Sequence, residues 1–240
     1  MIPLTSIVTC VHNLRHLLPF ALLSVRNQRS RDFEYLILDD GSSDGTWEYL
    51  QSLNFPWLRV LKNDQQQGLT ACRNRLLKEA RGELISILDG DDMLTPKKVE
   101  SHALAMVDST VGVVYGRAKR LTPSPRGYLI EESHGSDYSP GWDLITPYAA
   151  VHSATTWRKS LIRAVGGYDA QWTIVEDSDL FLKVGEKSQQ LFIPQYAAIK
   201  RIQPNNAFRS TLTPEKIKQL SNAVLKNALQ RRYQVVPTVW

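Results

Sequence analysis

Two patterns of apolar positions alternate along the first half of the chain. Short β-branched runs at Ser6–Val11, Tyr35–Leu38, Leu58–Leu61 and Leu84–Leu88 have the length and composition of buried strands. Between them Leu17–Asn27, Gly45–Leu53 and Leu69–Ala80 carry helical spacing, the second open to capping by Ser43 or Asp44 and the third closed by Gly82. Thr95-Pro96 offers an N-cap oxygen and a first-turn proline for a helix reaching about Asp108, ahead of a strand at Val111–Tyr115. This alternation predicts parallel βαβ units in an α/β fold, a Rossmann-like, mostly parallel sheet flanked by helices.

The second half is less regular. Pro123–Pro147, rich in Pro, Gly, Ser and Tyr, reads as a long loop. A strand at Ala154–Trp157, a helix at Lys159–Val165, a helix near Glu176 and a strand-like "LFIPQYAAIKRI" follow. Thr213-Pro214 opens a last helix in which Ile217, Leu220, Val224, Leu225, Ala228 and Leu229 form one stripe, expected to pack on the domain. The expected division is one domain over 1–210, with halves at 1–117 and 118–210, and a basic C-terminal helix over 211–240 packed on it or appended to it.

Composition narrows the setting. The 240 residues are 42% hydrophobic and 22% charged, enough for one large domain. No apolar run approaches the ~20 residues that span a bilayer, and the N-terminus has no basic segment leading into a long apolar core, so a cytoplasmic location is expected. Cys10 and Cys72, in a predicted strand and a predicted helix, read as buried thiols of a reducing compartment. The net charge of +5 is uneven: residues 200–240 carry +7 and the remainder −2. Such a tail suits an anionic partner such as phosphate or an acidic membrane surface, or is a solvated helix face. Nucleic acid is not expected, because the charge is confined to the tail and no recognition motif accompanies it.

Open α/β sheets bind ligands beyond the carboxyl ends of their strands. "CVHN", "DDGSSDG" and "DGDD" all fall there. In the last, Asp89, Asp91 and Asp92 crowd into four residues, and like charges about 5 Å apart repel by roughly 3 kcal/mol at an effective dielectric of ~20. A divalent cation would relieve that repulsion. Mg²⁺ takes one or two carboxylates and completes its shell with water and substrate phosphates, so the segment need not be a full cage. Asp91 or Asp92 has an alternative use in capping the helix after Pro96, a use that suits Asp92 better.

"SIVTCVHN", "LILDDGSSDGT", "GLTACRNRLLKEARGELISILDGDD", "VGGYD" and "VEDSDL", in this order, resemble the motifs of family-two glycosyltransferases across roughly Ser6 to Arg209. The resemblance implies an inverting transferase with the type-A glycosyltransferase fold. Residues 1–117 would bind a nucleotide-sugar, expected to be a UDP-sugar, and 118–210 an acceptor. It implies Thr9 and His12-Asn13 at the base, Asp39 and Asp40 as nucleoside-binding acids with Asp40 favoured, and Arg73 beside base or phosphates. It further implies Asp89 at the ribose, Asp91 as ligand to Mg²⁺ or Mn²⁺, and Asp177 as general base next to Glu176. Many relatives carry Arg-x-His near the domain's end; here Arg201 is kept for the diphosphate, while Gln203 takes the His position and predicts weak metal affinity without nucleotide. His152 could reach the acceptor, and Trp142, Trp157 and Trp172 either stack on sugars or pack in the core. The implied acceptor is a surface polysaccharide or lipid-linked saccharide, with peripheral contact at an acidic membrane surface. The alternative is a nucleotide-sugar-binding module without catalysis.

Overall fold

A computed structural model describes residues 2–125, 127–132, 150–172, 174–203 and 213–233. The strands are β1 (Thr5–Val11), β2 (Phe33–Asp40), β3 (Leu58–Asn63), β4 (Leu84–Ile87), β5 (Met93–Leu94), β6 (Val111–Ser124), β7 (Gly127–Glu132), β8 (Thr155–Arg158) and β9 (Gln189–Arg201). The helices are α1 (Leu18–Arg26), α2 (Thr46–Gln51), α3 (Leu69–Glu79), α4 (Lys98–Ala105), α5 (Lys159–Ala164), α6 (Glu176–Gly185) and, last, α7 (Pro214–Tyr233), with a 3₁₀ turn at His152–Ala154.

All nine strands join one sheet in the order β3-β2-β1-β4-β8-β6-β9-β5, with β7 paired to the distal part of β6. The expected parallel pairing holds across β3-β2-β1-β4. Beyond β4 the sheet is mixed: β8 runs antiparallel to both β4 and β6, β9 parallel to β6, and β5 antiparallel to β9. Successive side chains of a strand point to opposite faces, and both faces here are covered. Ile7, Val11, Tyr35 and Ile37 pack with α1 and α2 through Leu18, Leu22 and Leu50. Val8, Leu36 and Leu38 pack with Cys72 and Leu76 of α3, Ile162 of α5 and Phe181 of α6.

Three elements depart from the sequence reading. β6 continues to Ser124 and turns through Gly127 (φ 117°) into β7, so the expected loop begins as a hairpin; its remainder, with Trp142, lies outside the described residues. Helix α4 starts at Lys98, because Thr95 is held elsewhere, its hydroxyl donating to the Tyr196 carbonyl at 2.6 Å and its N–H to that of Ala197 at 3.0 Å. That same contact with β9 creates the two-residue β5. Helix α7 packs on α6 as its stripe implies: Val224 and Ala228 are buried with Trp172, Val175 and Leu182, while Leu229 stays exposed and the side chain of Ile217 is outside the described residues. Arg231 fixes the helix further, pairing with Glu186 at 3.0 Å and Asp179 at 3.6 Å.

Candidate active site

The loops after β1 and β2 are laced together. Asn13 sits at φ 54°, a left-handed conformation that Asn tolerates, with its N–H donating to Ser42 Oγ (2.9 Å) and its Oδ1 accepting the Ser43 N–H (2.8 Å). His12 Nδ1 lies 2.8 Å from the Asp40 carbonyl. At the end of β2 the two acids have different fates. Asp40 accepts from Asn63 Nδ2 (2.7 Å) and from the N–H groups of Gln67 (2.8 Å) and Gly68 (2.9 Å). Burial would raise its pKa, but these donors outweigh it and leave Asp40 below the usual carboxylate range. Asp39 accepts Ser42 N–H and Oγ on Oδ1, while its buried Oδ2 has no hydrogen-bond partner among the described residues. Thr9 is buried: its hydroxyl donates to the Leu88 carbonyl (2.7 Å) and lies 3.0 Å from Tyr35 Oη.

Arg73, buried on α3, joins two acids far apart in the chain. Its guanidinium donates to Asp89 beyond β4 at 2.9 Å and to Glu176 at the start of α6, and lies over the Tyr168 ring with 5.4 Å to the centroid. Burial pulls the Asp89 carboxyl upward, yet Arg73 prevails and holds it below its ordinary value. Glu176 is raised by burial and by the Asp177 and Asp89 charges, against the pull of Arg73. Asp177, whose Oδ1 accepts its neighbour's Ser178 N–H (2.7 Å), is raised by burial although Arg73 opposes it. A carboxylate with an elevated pKa is a stronger base.

The turn after Asp89 is tied down by its last acid. Asp92 is buried; Oδ2 accepts from Ser153 Oγ (2.7 Å) and Oδ1 from the Arg201 N–H (2.9 Å), and Ser153 Oγ in turn accepts the Asp89 N–H (3.0 Å). Burial, with the charges of Asp91 and Asp89, pushes Asp92 up to about 8. It does not cap α4. Asp91 accepts Gln203 Nε2 at 2.6 Å on Oδ2, and its pKa is raised by burial and by Asp89. Arg201 donates through Nε to the Asp91 carbonyl (3.2 Å), between the rings of Phe20 and Tyr128.

Residues 6–163 match the profile of Glycosyl transferase family 2. The chain belongs to that family. Over 113 residues it is 31% identical to an Escherichia coli UDP-Glc:alpha-D-GlcNAc-diphosphoundecaprenol beta-1,3-glucosyltransferase, an alignment covering 47% of the chain and 45% of that enzyme. The chain thus spans about half the length of that relative. Among solved structures, S. aureus TarS 1-349 in complex with UDP-GlcNAc superposes with a TM-score of 0.75 at 18% identity, over 94% of this chain and 66% of that one. The Pyrobaculum calidifontis mannosyltransferase PcManGT, in complex with GDP-Man and Mn²⁺, does so at 0.66 and 17% over 98% of this chain and 76% of its own. These likenesses give the fold as the type-A glycosyltransferase fold.

For a family-two chain the remaining positions divide clearly. Trp157 is core, with Nε1 donating to Thr155 Oγ1 (2.7 Å) and its ring edge-on to Phe181. Trp172 is buried against α7. His152 is buried with Nε2 3.1 Å from Tyr168 Oη, and desolvation holds it well below the ordinary histidine range. Ser153, Asn74 and Tyr168 went unread in the sequence as site residues; Asn74 and Tyr168 lie inside quoted motifs, and only their pairing in space shows their part. Among the described residues no group of three His, Cys, Asp or Glu could hold a metal ion, and no helix is long and apolar enough to cross a membrane.

Proposed function

We propose that this family-two chain transfers a sugar from a UDP-sugar to a hydroxyl acceptor with inversion at the anomeric carbon. The observation that carries this reading is Arg73, which links Asp89 on the nucleotide side to Glu176 on the acceptor side and so sets two acidic stations facing one crevice. The unpartnered Oδ2 of Asp39 suits the imide N–H of uracil or a ribose hydroxyl, whereas Asp40 already has three donors. In the reading preferred here Asp39 takes the nucleoside, Asp40 shapes the loop that faces it, and Asn13 lines the same edge through its backbone. Thr9 contributes only through the strand it anchors.

The donor chemistry at Asp91 fits a divalent cation: a hard carboxylate lifted by burial and by Asp89, with no group of three His, Cys, Asp or Glu ligands among the described residues to hold an ion unaided. Asp91, with Asp89 near it, would hold Mg²⁺ or Mn²⁺ against the diphosphate, and PcManGT was solved with Mn²⁺. Such an ion, when bound, stabilises negative charge on a departing diphosphate. Arg201 adds a fixed positive charge beside the same turn. Asp177 takes the proton from the acceptor hydroxyl, freeing that oxygen to attack the anomeric carbon opposite the leaving UDP. Glu176, engaged by Arg73, orients the start of α6 so that Asp177 can do this.

Homology to an enzyme acting on a diphosphoundecaprenol-linked sugar supports a lipid-linked or polysaccharide acceptor, met at a membrane surface by a chain whose basic C-terminal helix faces anionic lipid. The test is transfer from a panel of nucleotide-sugars to saccharide acceptors in the presence of Mn²⁺. Wild type is expected to consume a UDP-sugar, and Asp177→Asn to lose 10²- to 10⁴-fold in kcat, about the worth of a general base, while UDP affinity is kept. Full turnover by Asp177→Asn would remove the base, and UDP binding without transfer would favour the non-catalytic module.

A further inference from the structure

The 167–176 segment carries the chain from α5 to the two acids at the head of α6, and α3 grips it at three points. Asn74 holds Tyr168 from both sides, Nδ2 donating to its carbonyl at 2.7 Å and Oδ1 accepting its N–H at 2.9 Å. One turn earlier on α3, Thr70 Oγ1 donates to the Trp172 carbonyl at 3.1 Å. Between them Arg73 reaches Glu176. Residues 70, 73 and 74 share one helix face, so a single rigid element presents all three.

The approach to this grip is shaped for it. Helix α5 ends at Ala164, and its C-cap Val165 is followed by Gly166 at φ 86° and Gly167 at φ 75°. The Gly167 N–H donates to the Ile162 carbonyl (2.9 Å) and that of Gly166 to Arg163 (3.1 Å), the bonding of a Schellman cap. A Cβ on Gly167 would stand 2.6 Å from Asn74 Oδ1, so the glycine lets the backbone come close enough for Asn74 to bind the next residue. A side chain that satisfies both polar groups of one residue acts as a substitute strand edge, and it fixes position in two directions at once.

We propose that Asn74 is a positioning residue for transfer: its two-sided grip on Tyr168, backed by Thr70 on Trp172, sets the height of Glu176 and Asp177 above the nucleotide side of the crevice. This rests on the assignment of Asp177 as base. The amide itself touches no reacting atom. It registers the acceptor half on α3, and α3 also carries the Arg73 that reaches Asp89, so donor-side and acceptor-side acids share one ruler.

Asn74→Ala and Gly167→Ala approach the grip from its two sides. In each, kcat is expected to fall about 10²-fold, the scale for a displacement of about 1 Å, while KM for the donor and calorimetric UDP affinity stay within twofold. Phe55→Ala, in the distant stack with Trp57, serves as a control destabilised without loss of kcat. Amide exchange gives a readout independent of turnover: exchange over residues 168–177 is expected to quicken in Asn74→Ala and not in Phe55→Ala. Wild-type kcat in Asn74→Ala, or a loss of kcat and UDP affinity in equal measure, would overturn the proposal. Should the wild-type protein transfer no sugar, the assignment of Asp177 as base falls and the grip is judged by exchange alone, with unchanged protection over 168–177 counting against it.

Discussion

Replacing Arg73 by Met removes a cation and keeps most of its volume. The two acids it joins feel the loss unequally. The Asp89 side chain is 38% exposed, so water takes over much of the partner's part, whereas that of Glu176 is 5% exposed and water does not reach it. Stranding a buried carboxylate by deleting its partner costs about 3–5 kcal/mol. Glu176 can escape by taking up a proton, and this sets a ceiling. From an unfolded pKa of about 4.3, protonation at pH 7 costs about 1.4 kcal/mol for each of ~2.7 pH units, or roughly 4 kcal/mol; at pH 5 it costs about 1 kcal/mol. Burial already holds Glu176 above its ordinary range in the wild type, so part of that ceiling is present there and the difference at pH 7 falls short of it. The sign follows from linkage. A folded pKa raised above the unfolded one gives stability that is full below the unfolded value and lost as pH rises; wild type and Arg73→Met share that loss until Glu176 ionises in the wild type, so the deficit opens above the raised wild-type pKa and grows towards pH 7. Urea denaturation followed by the fluorescence of the six tryptophans measures it at both pH values. Adding Glu176→Gln should recover most of the deficit at pH 7. A deficit independent of pH, or one that Glu176→Gln leaves untouched, would refute the reasoning.

Glu34 gives a pH effect of the opposite sign. It accepts Ser6 Oγ (2.7 Å), the Arg81 N–H (2.6 Å) and Arg59 Nη1 (2.9 Å), and although burial pushes its carboxyl up these donors hold it below its ordinary value. Its stabilisation is present above about pH 4.3 and disappears as pH falls through the depressed folded pKa. Glu34→Gln should cost about 1–3 kcal/mol at pH 7 and flatten the acid limb of a circular-dichroism titration between pH 6 and 2; an unaltered limb would exclude Glu34 as its source. Gln203→His places a nitrogen ligand beside Asp91 and should tighten Mn²⁺ binding to the nucleotide-free protein relative to the weak binding expected of wild type, with calorimetry as the measurement; equal affinities would separate residue 203 from the metal. Val224→Ala removes two buried methyl groups between α7 and α6 and should cost about 2 kcal/mol in the single cooperative unfolding transition. No change would mean that α7 is appended to the domain and is not part of its folding unit.

The first half of the fold was legible because β1, β2 and β4 are buried on both faces, β3 is half-buried at the sheet edge, and the helices between them are amphipathic, so run length, composition and helical period together identify them. The continuation of β6 beyond Tyr115 was not, since Pro123 and Pro125 mark a turn equally well whether a hairpin or an open loop surrounds them. β5 exists only because β9 passes beside Met93, a neighbour more than a hundred residues away in sequence. At the site the same limit applies. The crowding of Asp89, Asp91 and Asp92 was plain, but not that Asp92 would turn inward to Ser153 and the Arg201 amide. The pair Asp39-Asp40 could be placed at a strand end from sequence, yet successive residues point to opposite faces, and only the path of the 63–68 segment decides which carboxylate stays free.

That path has a consequence for how an anion is received. In many nucleotide-binding sheets a helix start offers its bare amides to phosphate, aided by the helix dipole. At the start of α3 the carboxylate of Asp40 already occupies the amides of Gln67 and Gly68, an internal anion seated where a phosphate would otherwise rest. A pyrophosphate approaching this corner would meet negative charge. In the proposed reaction its neutralisation therefore passes to a mobile cation and to Arg201 on the opposite rim, which makes the chain's affinity for diphosphates depend on metal supply in a way a helix-cradled phosphate site would not.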